Sequence, residues 1–102
     1  MQSNYELLRR AIRQRQPVIA SYDGHVRHFC PHVLGTKRGE ARVLAFQYAG
    51  GSATGLPAGG EWRCMRVQGL TAVRLHKGPW RTGTRHARDQ ACVDAVDVET
   101  PS

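Results

Sequence analysis

The chain of 102 residues has the length of one ordinary domain, and with 40% hydrophobic and 23% charged residues it can close a small core. Lys plus Arg number 15 against 8 for Asp plus Glu, a formal charge of +7, and no apolar run approaches the roughly 18 residues that a membrane span needs. The first residues lack a signal peptide's basic-then-apolar order. Three cysteines at wide spacing, Cys30, Cys64 and Cys92, speak against a disulfide scaffold. The expectation is a basic, cytoplasmic protein with buried thiols and no membrane partner.

Ser3 and Glu6 have the spacing of a capping box, in which each side chain satisfies the other residue's backbone N–H. Tyr5, Leu8, Ala11 and Ile12 then recur at helical spacing, with Arg9, Arg10 and Arg13 opposite, and Pro17 stops the helix by disfavouring the α conformation at Gln16. Val18–Tyr22 reads as a short strand, and Asp23-Gly24 is a strong hairpin turn. A second strand runs from His25 to Leu34, with a bend or bulge expected at Pro31. Lys37-Arg38-Gly39 turns into a third strand, Ala41–Tyr48.

Five glycines and a proline make residues 49–60 a loop. Glu61–Val67 and Leu70–His76 are the fourth and fifth strands, joined by a turn at Gln68-Gly69, and 82–88 reads as polar loop. In Cys92–Val98, Val96 and Val98 alternate with acids, which favours a strand over a helix capped by Asp89. The fold class is therefore mainly β (α+β): a small barrel or strongly bent sheet of about five strands with one N-terminal helix. Residues 1–98 form a single domain, and 99–102 are expected to be a disordered tail.

The charge is unevenly spread. Asp89, Asp94, Asp97 and Glu99 lie in the last fourteen positions, which leaves fifteen bases against four acids in residues 1–88. An Arg-dominated excess favours phosphate-bearing partners, through counterion release and the bidentate fork of the guanidinium. The competing explanation is a solubilising surface, partly covered by the acidic C-terminal stretch.

The order of elements, with Leu8-Arg9-Arg10-Ala11-Ile12, Val18–Gly24, Arg27 ahead of Pro31-His32-Val33-Leu34-Gly35, Leu44-Ala45-Phe46, and Trp62–Val67 followed by Leu70, resembles the WYL domain, a bacterial module. The naming tripeptide is reduced to Leu44, with Arg42 and Val43 at its Trp and Tyr positions. The resemblance implies an Sm-like small barrel and a non-enzymatic, ligand-sensing module tied to transcription regulation or defence. Such a module binds nucleic acid or a nucleotide through a basic patch, and single strands are the favoured partner here.

Carried over to this chain, the patch residues are Arg27, Arg63 and Arg66, with Arg42 at a family position where the residue type has changed. Strand alternation turns Met65 and Val67 inward and Trp62, Cys64 and Arg66 outward, while Arg63 shares the inward parity and reaches the rim on its long stem. Trp62 and Tyr48 offer faces on which a base can stack, although packing is the commoner role of a Trp in so small a domain.

His28, Cys30 and His32 share a strand face. Residues two apart on a strand are about 6.6 Å apart, too far for three of them to meet one zinc at about 2.0–2.3 Å. No metal and no cofactor is expected. A nuclease using two of His25, His28, His32, His76 and His86 is the enzymatic alternative, although no catalytic order of residues can be picked out. A protein-interaction module, associating as a homodimer or higher oligomer through exposed strand edges, is the other.

Overall fold

The computed structural model describes residues 2–52, 55–83 and 91–100. One helix, α1 (Asn4–Gln14), precedes six strands: β1 (Val18–Tyr22), β2 (His25–Lys37), β3 (Glu40–Gly50), β4 (Glu61–Arg66), β5 (Thr71–Leu75) and β6 (Ala95–Glu99). A 3₁₀ turn, Val67–Gly69, joins β4 to β5. The result is a six-stranded antiparallel sheet with one N-terminal helix, a small barrel-like α+β fold.

Local chemistry sets the elements. Ser3 Oγ accepts from the Glu6 amide at 3.1 Å, and Glu6 Oε1 accepts from the Ser3 amide at 3.2 Å, closing the expected capping box. The helix ends one turn before Pro17, at Arg15 in the left-handed region, and the Gln16 amide donates back to the Ala11 carbonyl. Both hairpin turns place a non-glycine and a glycine at positive φ, Asp23-Gly24 and Arg38-Gly39. Such turns match the right-handed twist of the strands they join.

The sheet runs β4-β3-β2-β1-β5, and β6 pairs with the far half of β2. β2 is long because it serves three partners: its first half pairs with β1, its second half with β6, and β3 flanks it along its length. The register slips between Pro31 and Val33, where the proline cannot donate to the ladder. That slip flips the alternation. Phe29 and Leu34 therefore both enter the main core, while Val33 turns outward.

The main core lies on the concave side: Leu8, Ala11 and Ile12 of α1 close over Val18, Ala20, Phe29, Leu34, Val43, Ala45, Met65, Val67 and Leu70. A second, smaller cluster of Val33, Leu44, Cys92 and Val93, with Trp62 against it, sits on the outer face of β3–β4. Seven successive residues of β2, 29 to 35, are buried because both faces of the strand are covered.

Three expectations need correction. Cys64 and Cys92 form a disulfide, with Cα atoms 5.6 Å apart, and only Cys30 is a free, buried thiol. Spacing along the chain misled because the segment after β5 returns across β4 and brings two distant residues together. Closing a loop over 28 positions restricts the unfolded chain, a contribution of about 3–4 kcal/mol in the chain-entropy account.

The last segment is a strand, as its alternation indicates, but it begins at Ala95, after the disulfide. It also extends past residue 98: Glu99 belongs to β6, and Thr100 is buried with its amide donating to the His32 carbonyl at 2.8 Å. Most of the expected polar loop at 82–88, with His86 and Asp89, lies outside the described residues. No helix among the described residues is long and apolar enough to cross a membrane.

Candidate functional site

Two of the candidate arginines, Arg27 and Arg66, meet at Tyr22, and Arg63 lies close enough for its charge to act on Arg27. The Asp23-Gly24 turn ends β1 at Tyr22 and starts β2, so Arg27 lies one turn and a short stretch of strand away. Its guanidinium carbon stands 5.1 Å from the Tyr22 ring centre. Arg27 Nε donates to the Tyr22 carbonyl at 3.2 Å and Nη1 to Gln47 Oε1 at 3.4 Å. Gln47, itself buried, is fixed by donating from Nε2 to the carbonyls of Ala49 and Gly51.

Arg27 differs from the expected surface patch residue: only 5% of it is exposed. The reason is parity, since it shares the inward face of β2 with Phe29. Burial, and then the nearby Arg63 charge, pull its pKa below the usual arginine value.

Arg63 occupies the matching inward position on β4, opposite Ala45. Its long stem carries the head to the rim, as its parity requires. There Nη2 donates to Ser52 Oγ at 3.1 Å and the Gly55 carbonyl at 3.0 Å, and pairs with Glu61 Oε2 at 2.9 Å. Arg63 Nε is buried without a hydrogen-bond partner among the described residues. Arg66 is exposed, and its amide donates to the Tyr22 hydroxyl at 3.2 Å. Hydrogen bonding to Tyr22, then the charges of Tyr22 and Glu40, push its pKa up.

Among the described residues neither Arg27 nor Arg66 forms an ion pair with a carboxylate. Of the acidic C-terminal residues, Asp97 turns to α1, 3.8 Å from Arg9 Nε, and accepts from the Tyr5 hydroxyl at 2.8 Å. Arg42 lies directly across from Arg66 in the β3–β4 register, but Glu40 holds it at 2.8 Å. With Lys37, Arg38 and Glu40 it lines a polar hollow of about 430 Å³ at the β2–β3 turn.

Trp62 and Tyr48 do not join the arginine cluster. Trp62 sits edge-on to His32 at 4.9 Å and to Phe46 at 5.5 Å, half-buried on the outer face of β4. An open groove of about 550 Å³ runs past it, lined also by Gly59, Gly60, Arg81, Thr82 and Gly83. The Tyr48 ring is already occupied, with the Arg81 guanidinium 4.2 Å from its centre. Burial pushes the Tyr48 hydroxyl up from its ordinary pKa. Packing is what both rings do here.

The histidines are dispersed in role: His32 is buried between Trp62 and Trp80, whereas His76 is exposed beyond β5. No group of three or more His, Cys, Asp or Glu that could hold a metal gathers among the described residues, and the disulfide takes two of the three cysteine sulfurs.

Sequence reasoning missed Tyr22 as the hub of the cluster, Gln47 as its buried brace, and Arg81. The turn at Asp23-Gly24 was a signal for Tyr22, because a residue at a strand end on the inward parity caps the barrel mouth. Nothing in the local sequence marks Gln47 or Arg81. No family model matches the chain, and no curated protein or solved structure matches it.

Proposed function

We propose that this chain is a non-enzymatic, WYL-like module that binds nucleic acid or a nucleotide, with single strands favoured, at the Tyr22 end of the barrel. The observation that carries the reading is that Arg27 and Arg66 meet at Tyr22 with Arg63 close by, and that among the described residues a single carboxylate, Glu61, is in ion-pair contact with any of them. Arg27 is held out of water with no carboxylate in ion-pair contact among the described residues, which is unfavourable, and the penalty falls when an anion arrives. Phosphate suits the forked donors, and Arg66 presents its own to solvent. Arg27 sits at the floor, where it contributes field more than contact. A role in transcription regulation or defence follows from the WYL resemblance and belongs to the same proposal.

Titration with labelled short single-stranded DNA, RNA and nucleotide at two salt concentrations tests it. Affinity falls as salt rises, and Arg66→Ala lowers the salt slope by about 0.7 for a single strand while leaving the melting temperature unchanged. Arg63→Ala also weakens binding but removes the hydrogen bonds to Ser52 and Gly55, so Arg66 is the cleaner probe. Undetectable binding at low salt, or affinity indifferent to salt, overturns the proposal.

A further inference from the structure

We propose that the Cys64–Cys92 disulfide is a reversible clasp, a site of thiol–disulfide exchange at which a dithiol reductant loosens the C-terminal arm, residues 91–94, from the outer face of β3–β4. This inference is independent of the anion site. It starts from an asymmetry: Cys64 is exposed on β4, while Cys92 is only 6% exposed beneath it. One sulfur's residue is open to an attacking thiolate, and the other is sealed in apolar contacts with Val33, Leu44 and Val93. Solvent-accessible disulfides of this kind exchange readily, whereas fully enclosed ones do not.

The surroundings favour the reaction. Arg66 lies two residues along on the same face of β4, and Arg42 faces Arg66 across the register. A thiolate released at Cys64 is therefore born near guanidinium charge, which favours its departure. In the first step a thiolate of the reductant attacks the Cys64 sulfur. A mixed disulfide forms, and the Cys92 sulfur leaves with the electron pair and takes up a proton. In the second step the reductant's other thiol, deprotonated, attacks its own sulfur in the mixed disulfide. Cys64 leaves as the thiolate, and the reductant departs as its disulfide. Two electrons pass to the protein with one proton, which is taken up at Cys92, and the reductant's second proton goes to solvent.

The chain can tolerate this because the arm packs outside the main core. Ahead of β6 it is held by the Asp94 amide donating to the Thr36 carbonyl at 2.9 Å and by Lys37 Nζ donating to the Ala91 carbonyl. The main core contains neither cysteine of the pair. The third thiol does not compete for the exchange: Cys30 is fully buried, and burial pushes its pKa up, so it stays protonated.

Hydrogen exchange of the full chain, oxidised and after dithiothreitol, tests the clasp with circular dichroism as the control for fold. Reduction is expected to speed exchange of the Asp94 amide by at least about tenfold while α1 and β1–β3 keep their protection, and reoxidation restores it. Cys64→Ser is expected to show the fast rate with or without reductant, and Cys30→Ser to respond as the unaltered chain does. The proposal is overturned if Asp94 is equally protected in both states, or if the disulfide yields to dithiothreitol only when the whole protein unfolds.

Discussion

The two apolar clusters of this protein are built on different principles. The main core draws on α1, β1 to β4, the 3₁₀ turn and Leu70, and its members repeat at helical or alternating spacing along the chain. The outer cluster has four buried residues, two of them from a segment outside any strand, and a covalent bond crosses it. A large core holds itself together by area removed from water, at about 25 cal/mol per Å² of apolar surface. A cluster of four cannot bury enough to order its own arm, and here a crosslink supplies what area does not. The same division separates the parts suited to carry the fold from the parts suited to respond to conditions.

Substitutions on either side sharpen that contrast. Phe29→Ala empties the largest fully buried side chain of the main core and should cost about 3–5 kcal/mol, enough to unfold much of a domain whose total stability is about 5–15 kcal/mol. Val93→Ala in the outer cluster should cost about 1 kcal/mol, because the arm can settle into the space. Urea denaturation of both variants measures the ratio. Equal losses would mean that the two clusters form one cooperative core, and the division drawn here would fail.

Gly35→Ala attacks the arm's seat without touching the barrel interior. A Cβ there would collide with the Ala95 carbonyl oxygen and stand 2.7 Å from Val93 Cγ1, and the first of these is backbone that cannot swing away. The arm and the start of β6 must shift, with an expected loss of about 1–3 kcal/mol. Exchange should speed at Asp94 and around Ala95, with the β1–β2 hairpin unchanged. A variant as stable as the parent would show that β6 slides freely on β2.

How much of this was legible in the sequence follows the same line. The capping box at Ser3, the two turns at Asp23-Gly24 and Arg38-Gly39, and the bulge at Pro31 are local chemistry, and each lies where its residues put it. The inward parity of Met65 and Val67 is local too. The disulfide, the return of the arm, and the burial of Arg27 depend on where the chain comes back after β5 and on which end of the barrel closes, and no window of neighbouring residues holds that information. For the candidate site, Arg27, Arg63 and Arg66 were legible only as candidates named by the order of motifs. The hub at Tyr22 and the brace at Gln47 were not, because an inward polar residue near a barrel mouth looks like any other strand residue. Trp62 and Tyr48 were read for their faces, yet their neighbours His32, Phe46 and Arg81 arrive from elements distant in sequence.

The weakest fastening of the C-terminal strand is Asp97 on α1, and it gives the smallest effect. Burial, then the hydrogen bond to Asp97 and that residue's charge, push the Tyr5 hydroxyl up to about 12, with Arg9 opposing. A phenol whose pKa is higher in the folded chain than in the unfolded one, about 10, favours folding while it is protonated. Its contribution is therefore complete below about pH 10 and lost as the pH climbs toward 12. Tyr5 is only partly buried and water screens the contact, so the change should be about 0.5 kcal/mol at most. Tyr5→Phe should lower stability slightly at neutral pH and flatten the alkaline decline that the parent shows above pH 10. Tyr48→Phe is the necessary comparison, because burial raises that hydroxyl as well without any contact to β6. If Tyr5→Phe leaves the alkaline decline unchanged and Tyr48→Phe removes it, β6 is held to β2 by its backbone pairing alone, and the tie between α1 and Asp97 contributes nothing to the arm.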